Sequence, residues 1–204
     1  RIRDTNAMSF KKNHYQVIKK VISKDMAHYF FNYLRFKRHL LWVLREEKCL
    51  IHALDDTYGT FGDAMFEEKI YCVYGDPALE CLLVMLKPQM EKITGLSLVP
   101  TYSYARIYEK GNELFKHKDR IPCEFSTTLN LGGEIWPIYL EDKKIILKPG
   151  DMLVYKGEEL EHWREPLPKG ECGQVFFHYN DVKRKDKEPY DGRIWLGMPH
   201  ICRK

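Results

Sequence analysis

Three residues of the types that bind iron(II) stand out in this chain: His117 and Asp119 are two positions apart, and His162 follows further along. Two imidazoles and one carboxylate can occupy one face of an iron(II) ion and leave the opposite face open. A co-substrate and O2 can then meet on one metal. The pattern favours oxidation over hydrolysis and predicts His117, Asp119 and His162 as both metal-binding and catalytic residues.

The spacing of these residues is compatible with β structure. Side chains at i and i+2 of an extended segment point to the same side, so His117 and Asp119 can reach one metal from the end of a strand. His162 follows residues 153–155 and a short polar loop, at the start of the next inward-facing segment. A lone His-x-Asp pair is a weak signal, and an exposed polar turn is the alternative interpretation.

The first half of the chain is predicted to be mostly helical, after one leading strand. Residues 15–22 are β-prone, and Ser23 can cap a helix that runs to about Glu47. Residues 57–74 are rich in glycine and aromatic side chains, and we expect a long loop there.

A second helix has clear boundary signals. Asp76 is a good N-cap, Pro77 suits the first helical position and Gly95 ends the helix. Pro88 lies inside it and is expected to introduce a kink. The apolar residues recur at helical spacing and predict one buried face: Leu79, Leu82, Leu83, Leu86, Met90 and Ile93.

After Gly95 the pattern changes to short β-prone segments separated by turns. Strands at such regular spacing predict a sandwich or jelly roll, with the helices on one face, and therefore an α+β chain. We expect one structural domain overall, with a helical support region over residues 1–95 and a β core over residues 96–204. The predicted strands are residues 96–109, 123–131, 135–140, 144–147, 152–155 and 173–179.

Composition narrows the functional classes. The 204-residue chain has no apolar run approaching the roughly 20 residues that cross a membrane, so no membrane partner is expected. A net charge of +4 is too mild to favour nucleic-acid binding. The N-terminus has no apolar segment like that of a signal peptide. Six scattered cysteines without a Cys-x-x-Cys pair favour free thiols and a cytoplasmic location.

Motifs around the three ligands carry a family resemblance. The segments TYSYARIYEKGNELFKHKD, STTLNLGG, WPIYL, LKPGDMLVYKG and EHWREP resemble the iron(II)- and 2-oxoglutarate-dependent dioxygenases, closest to the prolyl-4-hydroxylase-like branch. The resemblance covers residues 96–181, and the helix over residues 77–94 is similar to the support helix of that branch. It implies a double-stranded β-helix core of the jelly-roll or cupin type, with supporting N-terminal helices.

The resemblance also implies the chemistry. Iron(II) would be held by His117, Asp119 and His162, with 2-oxoglutarate and O2 as co-substrates and ascorbate as a further cofactor. Decarboxylation of 2-oxoglutarate to succinate and CO2 would be coupled to hydroxylation of an unactivated C–H bond. A carboxylate as third ligand favours hydroxylation over halogenation. The substrate expected by analogy is a peptidyl proline or a small polar molecule.

Residues that could bind 2-oxoglutarate are less clearly marked. Tyrosines at the place of Tyr108 contact its distal carboxylate in the family, and Arg106 shares that face of the strand. An ion pair with an acid at the core edge is the alternative role for Arg106. Proteins of the branch carry a basic residue nine or ten positions after the distal histidine, which is His162 here. This chain has Glu171 and Cys172 at those positions instead.

Other polar residues are candidates for the same pocket. Gln174 could donate a neutral hydrogen bond. Ser126 and Thr128 share one face of their strand and either line the pocket or face solvent. Arg164 is expected to shape the entrance of the site, and Lys169 to lie exposed in a turn.

Two further classes of function remain open at this point. A non-catalytic jelly-roll module that binds a small molecule or a protein partner would explain the missing basic anchor, although an intact triad argues against it. A demethylase of modified nucleic acid would need a basic groove with stacking aromatics, and only a mixed-charge tail is present.

Overall fold

The computed structural model describes residues 10–49, 56–63 and 65–203, without the side chains of residues 66–69. Helix α1 (Lys24–Glu46) begins at Ser23, whose side chain accepts a hydrogen bond from the Met26 amide at 3.1 Å. This confirms the predicted cap. Satisfying an amide of the first turn in this way stabilises the helix by about 1 kcal/mol.

Helix α2 (Pro77–Thr94) also has the predicted boundaries. The Asp76 carboxylate accepts hydrogen bonds from the Ala78 and Leu79 amides, at 2.9 and 3.2 Å. Gly95 ends the helix with φ of 71°, a left-handed conformation that glycine adopts without steric cost. Pro88 lies within the helix, which continues past it.

Eleven strands are described, and they form two antiparallel sheets. The larger sheet has the order β1-β9-β6-β11-β4-β3-β2 and the smaller has the order β5-β10-β7-β8. Two such sheets form the predicted jelly roll, so the fold class is confirmed. The strands are β1 (Tyr15–Ile18), β2 (Thr60–Asp63), β3 (Phe66–Tyr74), β4 (Leu98–Glu109), β5 (Leu114–His117), β6 (Phe125–Gly133), β7 (Ile138–Leu140), β8 (Lys143–Ile145), β9 (Met152–Lys156), β10 (His162–Arg164) and β11 (Glu171–Asp181).

The prediction of a long loop over residues 57–74 is wrong, because strands β2 and β3 occupy most of this segment. Strand β3 pairs with β4 in antiparallel register, with Tyr71 opposite Ile107. Four consecutive residues of β3 are buried, because the strand is covered on both faces. Such a strand lacks the alternation that identifies a half-exposed strand in a sequence. The buried residues are Ile70, Tyr71, Cys72 and Val73.

The main apolar core lies between the helices and the larger sheet. Leu34 of α1 and Leu83 of α2 belong to one buried cluster with Val175 of β11. A second buried cluster contains Tyr108 and Trp136, and Cys172 packs in it. In the described part of the chain, no helix combines the length and apolar character needed to cross a membrane.

Candidate metal centre

The two histidines lie opposite each other on neighbouring strands of the smaller sheet. His117 is the last residue of β5, His162 is the first residue of β10, and the antiparallel register places them opposite each other. Asp119 follows β5 in a loop that is held by a hydrogen bond from its amide to the Gly157 carbonyl, at 2.9 Å. The structure therefore brings together the three residues that the sequence predicts as metal ligands.

The side chains converge on one point. Asp119 Oδ1 lies 3.7 Å from His117 Nε2 and 3.4 Å from His162 Nε2. The three potential ligand atoms all lie within 4.8 Å of one another. One carboxylate oxygen and two imidazole nitrogens at this separation can bind a single transition-metal ion, and this donor set suits iron(II).

Backbone carbonyls set the orientation of both imidazoles. His117 Nδ1 donates to the Phe115 carbonyl at 2.7 Å, and His162 Nδ1 donates to the Leu160 carbonyl at 3.1 Å. A carbonyl can only accept, so the proton of each neutral ring lies on Nδ1 and the Nε2 lone pair is available to a metal. Burial and the neighbouring His162 lower the pKa of His117, which favours the neutral ligand form.

The second oxygen of Asp119 has partners of its own. Ser126 Oγ donates to Asp119 Oδ2 at 2.6 Å, and His178 Nδ1 lies 2.9 Å from the same hydroxyl. Burial by itself would raise the pKa of Asp119. The adjacent His162, with smaller contributions from His178 and Ser126, holds this pKa well below its usual range. Oδ1 is thereby left as an ionised oxygen facing the two imidazoles.

Ser126 thus contacts a metal ligand, and its role as a 2-oxoglutarate contact stays a prediction. The solvent-facing alternative for Ser126 and Thr128 is wrong, because both side chains are fully buried between the sheets. His178 and Gly157 are missed by the sequence reasoning. A Cβ on Gly157 would collide with Asp119 Oδ2, so a glycine is required there. No local pattern marks either residue, because their partners are distant in sequence.

A cavity of about 520 Å³ opens beside the three ligands. Aromatic rings form much of its wall, and Tyr74 lies 5.2 Å from Tyr102 and 5.3 Å from His200 between ring centroids. The hydroxyl of Tyr74 donates to Asp191 Oδ2 at 2.6 Å, so the segment after β11 is bound to this wall. Tyr104 and other residues of β2–β4 complete the opening.

Of the two predicted 2-oxoglutarate contacts on β4, Arg106 lines this cavity and Tyr108 does not. The Arg106 guanidinium donates to Asp63 Oδ2 through Nε at 2.9 Å and Nη2 at 2.5 Å, and through Nη1 to the Tyr108 hydroxyl at 3.2 Å. The ion pair is the alternative role that the sequence left open for Arg106. Tyr108 is fully buried. Contact of either residue with 2-oxoglutarate stays a prediction.

Thr128 and Gln174 lie deeper in the barrel, beside Arg164. Thr128 Oγ1 donates to Gln174 Oε1 at 3.1 Å and receives a long contact of 3.4 Å from Arg164 Nη2. The sequence predicted that Arg164 shapes the entrance of the site. This prediction is wrong, because the side chain of Arg164 is buried inside the jelly roll. Its place on β10 two residues after His162 directs it inward. Lys169 is exposed, as predicted.

Neither a protein-family model nor a curated protein matches this sequence. Solved structures are similar in fold. A Pseudomonas putida prolyl-4-hydroxylase matches 87% of this chain and 99% of its own, with TM-score 0.63 and 12% identity. EctD from S. alaskensis with bound Fe matches 93% and 80%, with TM-score 0.66 and 14% identity. The non-heme alpha ketoglutarate dependent epimerase SnoN matches 88% and 82%, with TM-score 0.62 and 12% identity.

These similarities confirm the predicted fold of the iron(II)- and 2-oxoglutarate-dependent oxygenases. At such low identity they concern the fold alone. A prolyl hydroxylase and an epimerase are both among the similar structures, so the fold does not determine the reaction. The reaction depends on the residues of the site and not on the fold.

Proposed function

We propose that this protein is an iron(II)- and 2-oxoglutarate-dependent dioxygenase that hydroxylates an unactivated C–H bond and converts 2-oxoglutarate to succinate and CO2. The observation that carries the proposal is the convergence of His117 Nε2, His162 Nε2 and Asp119 Oδ1 beside a cavity. Two neutral nitrogens and one anionic oxygen fit iron(II) and leave metal positions for a chelating co-substrate and O2.

The chain's own residues have three tasks in this proposal. His117, Asp119 and His162 hold the metal, and the carbonyls of Phe115 and Leu160 keep both imidazoles in the ligand tautomer. When bound, the metal, 2-oxoglutarate and O2 together supply the oxidising power for C–H cleavage. The aromatic wall limits access of water to the reacting atoms and holds the target carbon.

The cavity supports a small or extended substrate. Tyr102, Tyr104 and Phe176 present ring surface, and His178 and His200 present ring nitrogens. Rings pack against the apolar faces of a pyrrolidine, and imidazoles can bond the polar groups around it. We therefore propose a peptidyl proline or a small polar molecule as substrate.

The state of the cysteines supports a reducing environment for this protein. All six cysteines are unpaired, which suits a reducing compartment such as the cytoplasm. A reducing compartment also suits a ferrous centre, and we propose ascorbate as an auxiliary reductant. A non-catalytic binding module remains the alternative function, and it predicts ligand binding without turnover.

The test is an anaerobic titration of the Fe(II)-loaded protein with 2-oxoglutarate, followed by admission of O2. We expect a saturable visible charge-transfer band, its absence in His162→Ala, and succinate formation after O2 enters. Lys169→Met, on the exposed turn, is the matched control and should behave as wild type. Iron binding without a band would contradict the choice of co-substrate, and a band without succinate would favour the binding module.

A further inference from the structure

His178, which the sequence reasoning missed, is a buried histidine in the wall of the cavity. It lies on β11 opposite Ser126 of β6, its side chain is 6% exposed, and it borders the same cavity as the three metal ligands. Buried polar atoms of native proteins are normally hydrogen-bonded. The partners of the two ring nitrogens therefore indicate what this residue does.

The proton on His178 can be placed from the hydrogen bonds of Ser126. Ser126 Oγ has a single proton, and its neighbours Asp119 Oδ2 at 2.6 Å and the Cys123 carbonyl at 3.0 Å can only accept. His178 Nδ1, 2.9 Å from the same hydroxyl, must therefore donate to it. Burial lowers the pKa of His178 to about 4, so the ring is neutral near pH 7 and Nε2 carries no proton.

Nε2 of His178 is the nitrogen left for the cavity. No described residue bonds it, and it is not sealed within the protein interior. Because Nδ1 is directed at Ser126, the ring edge with Nε2 is the one that can face the cavity. The ring packs on Tyr102, with centroids 4.5 Å apart, which restricts its orientation. His178 thus presents a neutral acceptor to a ligand in the cavity.

The tyrosine hydroxyls of the same wall already have partners within the protein. A ligand donor that approached them would have to compete with these bonds, whereas Nε2 of His178 needs no rearrangement. The three hydroxyls form hydrogen bonds at 2.6, 3.1 and 2.8 Å: Tyr74 with Asp191, Tyr102 with Cys123, and Tyr104 with Asp63.

The charges near His178 favour a neutral donor. Arg120 lies over the Tyr102 ring at 4.8 Å, and its charge acts on His178. A metal cation at Asp119 adds further positive charge, and both repel an ammonium group. Asp191 also acts on His178, but its carboxylate is bound by two nitrogens of Arg120, at 2.9 and 3.1 Å. A hydroxyl or an amide N–H is therefore the donor that suits this place.

We propose that His178 is a specificity-determining residue whose Nε2 accepts a hydrogen bond from a neutral O–H or N–H group of the substrate. One hydroxyl connects His178 to Asp119, so the bound group lies close to the metal ligands and to the carbon that is oxidised. A proline residue has no N–H. The site therefore favours, of the two proposed substrate classes, a small molecule with a hydroxyl or amide group. The position of the oxidised carbon rests on the proposed function, whereas the hydrogen bond itself does not.

The experiment compares two ring probes of equal size on Zn(II)-loaded protein, in which no oxidation takes place. 2-Pyrrolidinone has an N–H beside its carbonyl, and cyclopentanone has a CH2 group at that place. With 15N-labelled histidine, we expect the Nε2 resonance of His178 to move with 2-pyrrolidinone and not with cyclopentanone. The lactam should bind roughly three- to tenfold more tightly, which is the value of one neutral hydrogen bond.

His178→Asn isolates the cavity side of the ring. Asparagine keeps a donor for Ser126 but is too short to present an acceptor at the position of Nε2. The preference for the lactam should therefore disappear while the affinity for Zn(II) is retained. His39→Asn, on the exposed face of α1, is the matched control and should keep the preference.

Each outcome decides the proposal. Equal affinities of the two probes overturn it, as does a lactam preference that persists in His178→Asn. A proton on Nε2 in the free protein also overturns it, and so does a lack of binding of both probes. If His178→Asn does not fold, the Nε2 resonance of the wild-type protein still gives the answer. Failure of the proposed function would show separately, as a missing charge-transfer band with Fe(II), and would leave the hydrogen bond of His178 unaffected.

Discussion

The two ends of the inner face of β10 differ in how completely their polar atoms are partnered. At one end, His162 Nδ1 is bonded to a backbone carbonyl and Nε2 faces the Asp119 carboxylate and the Tyr155 hydroxyl. At the other end, Arg164 has a buried Nε without a partner and no nearby anion in the described chain. The ring nitrogens of His162 are partnered within the protein, whereas the donors of Arg164 are only partly so.

Arg106 and Arg164 differ in the same way, because of the two only Arg106 has a counter-ion among the described residues. Both guanidinium groups are buried and both are close to Tyr108. Arg106 has Asp63 as a counter-ion, whereas the described groups that act on Arg164 are the Cys172 thiol and the hydroxyls of Tyr108 and Tyr155. Burial alone therefore does not distinguish the two arginines, whereas the presence or absence of a described counter-ion does.

The largest expected difference between Arg106 and Arg164 is in the free energy of unfolding of the ligand-free protein when each arginine is replaced. Arg106→Met should lower the free energy of unfolding by about 3 kcal/mol, because it leaves the partly buried carboxylate of Asp63 without its cation. Arg164→Met should change it by no more than about 1 kcal/mol, because removal of an unpaired charge offsets the lost hydrogen bond to Trp136. Urea denaturation of the two variants measures both values. Equal losses would show that Arg164 is as structural as Arg106.

A smaller effect is expected when the partnered metal end is disturbed. Ser126→Ala removes the donor to Asp119 Oδ2, and we expect a ten- to hundredfold loss of Fe(II) affinity, about 1.4–2.7 kcal/mol. Metal titration monitored by tryptophan fluorescence or calorimetry gives the constant. Ser126→Thr retains the hydroxyl and is the matched control. Normal iron affinity in Ser126→Ala would mean that the carboxylate is positioned without the hydroxyl.

The smallest predicted effect concerns pH. Burial lowers the pKa of His178 to about 4, against 6.5 for an exposed histidine. The unfolded chain therefore binds this proton first as the pH falls, and the native state loses stability below pH 6.5, with the loss levelling off below pH 4. Between pH 7 and 5.5 this one group contributes a loss of about 1 kcal/mol.

Metal-free His178→Gln checks the assignment, since it keeps a hydrogen-bonding side chain that does not titrate in this range. Chemical denaturation of both proteins at pH 7 and 5.5 should show a smaller decrease for the variant. An identical decrease would mean that other groups account for the acid sensitivity and that His178 titrates normally.

Local sequence signals predicted much of the frame that holds the site. Ser23, Asp76 and Gly95 mark helix ends because capping depends on neighbours within a few residues. Strand β3 was missed because burial on both faces erases its alternation. The division of the chain at residue 95 stays a prediction, as do the contacts of Tyr108, Arg106, Gln174, Ser126 and Thr128 with 2-oxoglutarate.

The sequence by itself determined the types of the metal ligands and the strand periodicity that turns them inward, because both depend on spacing along the chain. Only the tertiary structure decided which charges meet. It placed Asp63 against Arg106 and His178 against Ser126, and it left Arg164 without an acid among the described residues, because these side chains come from strands that are far apart in sequence. Counter-ions are selected by packing in three dimensions, so an unpaired buried arginine becomes visible only in the folded chain.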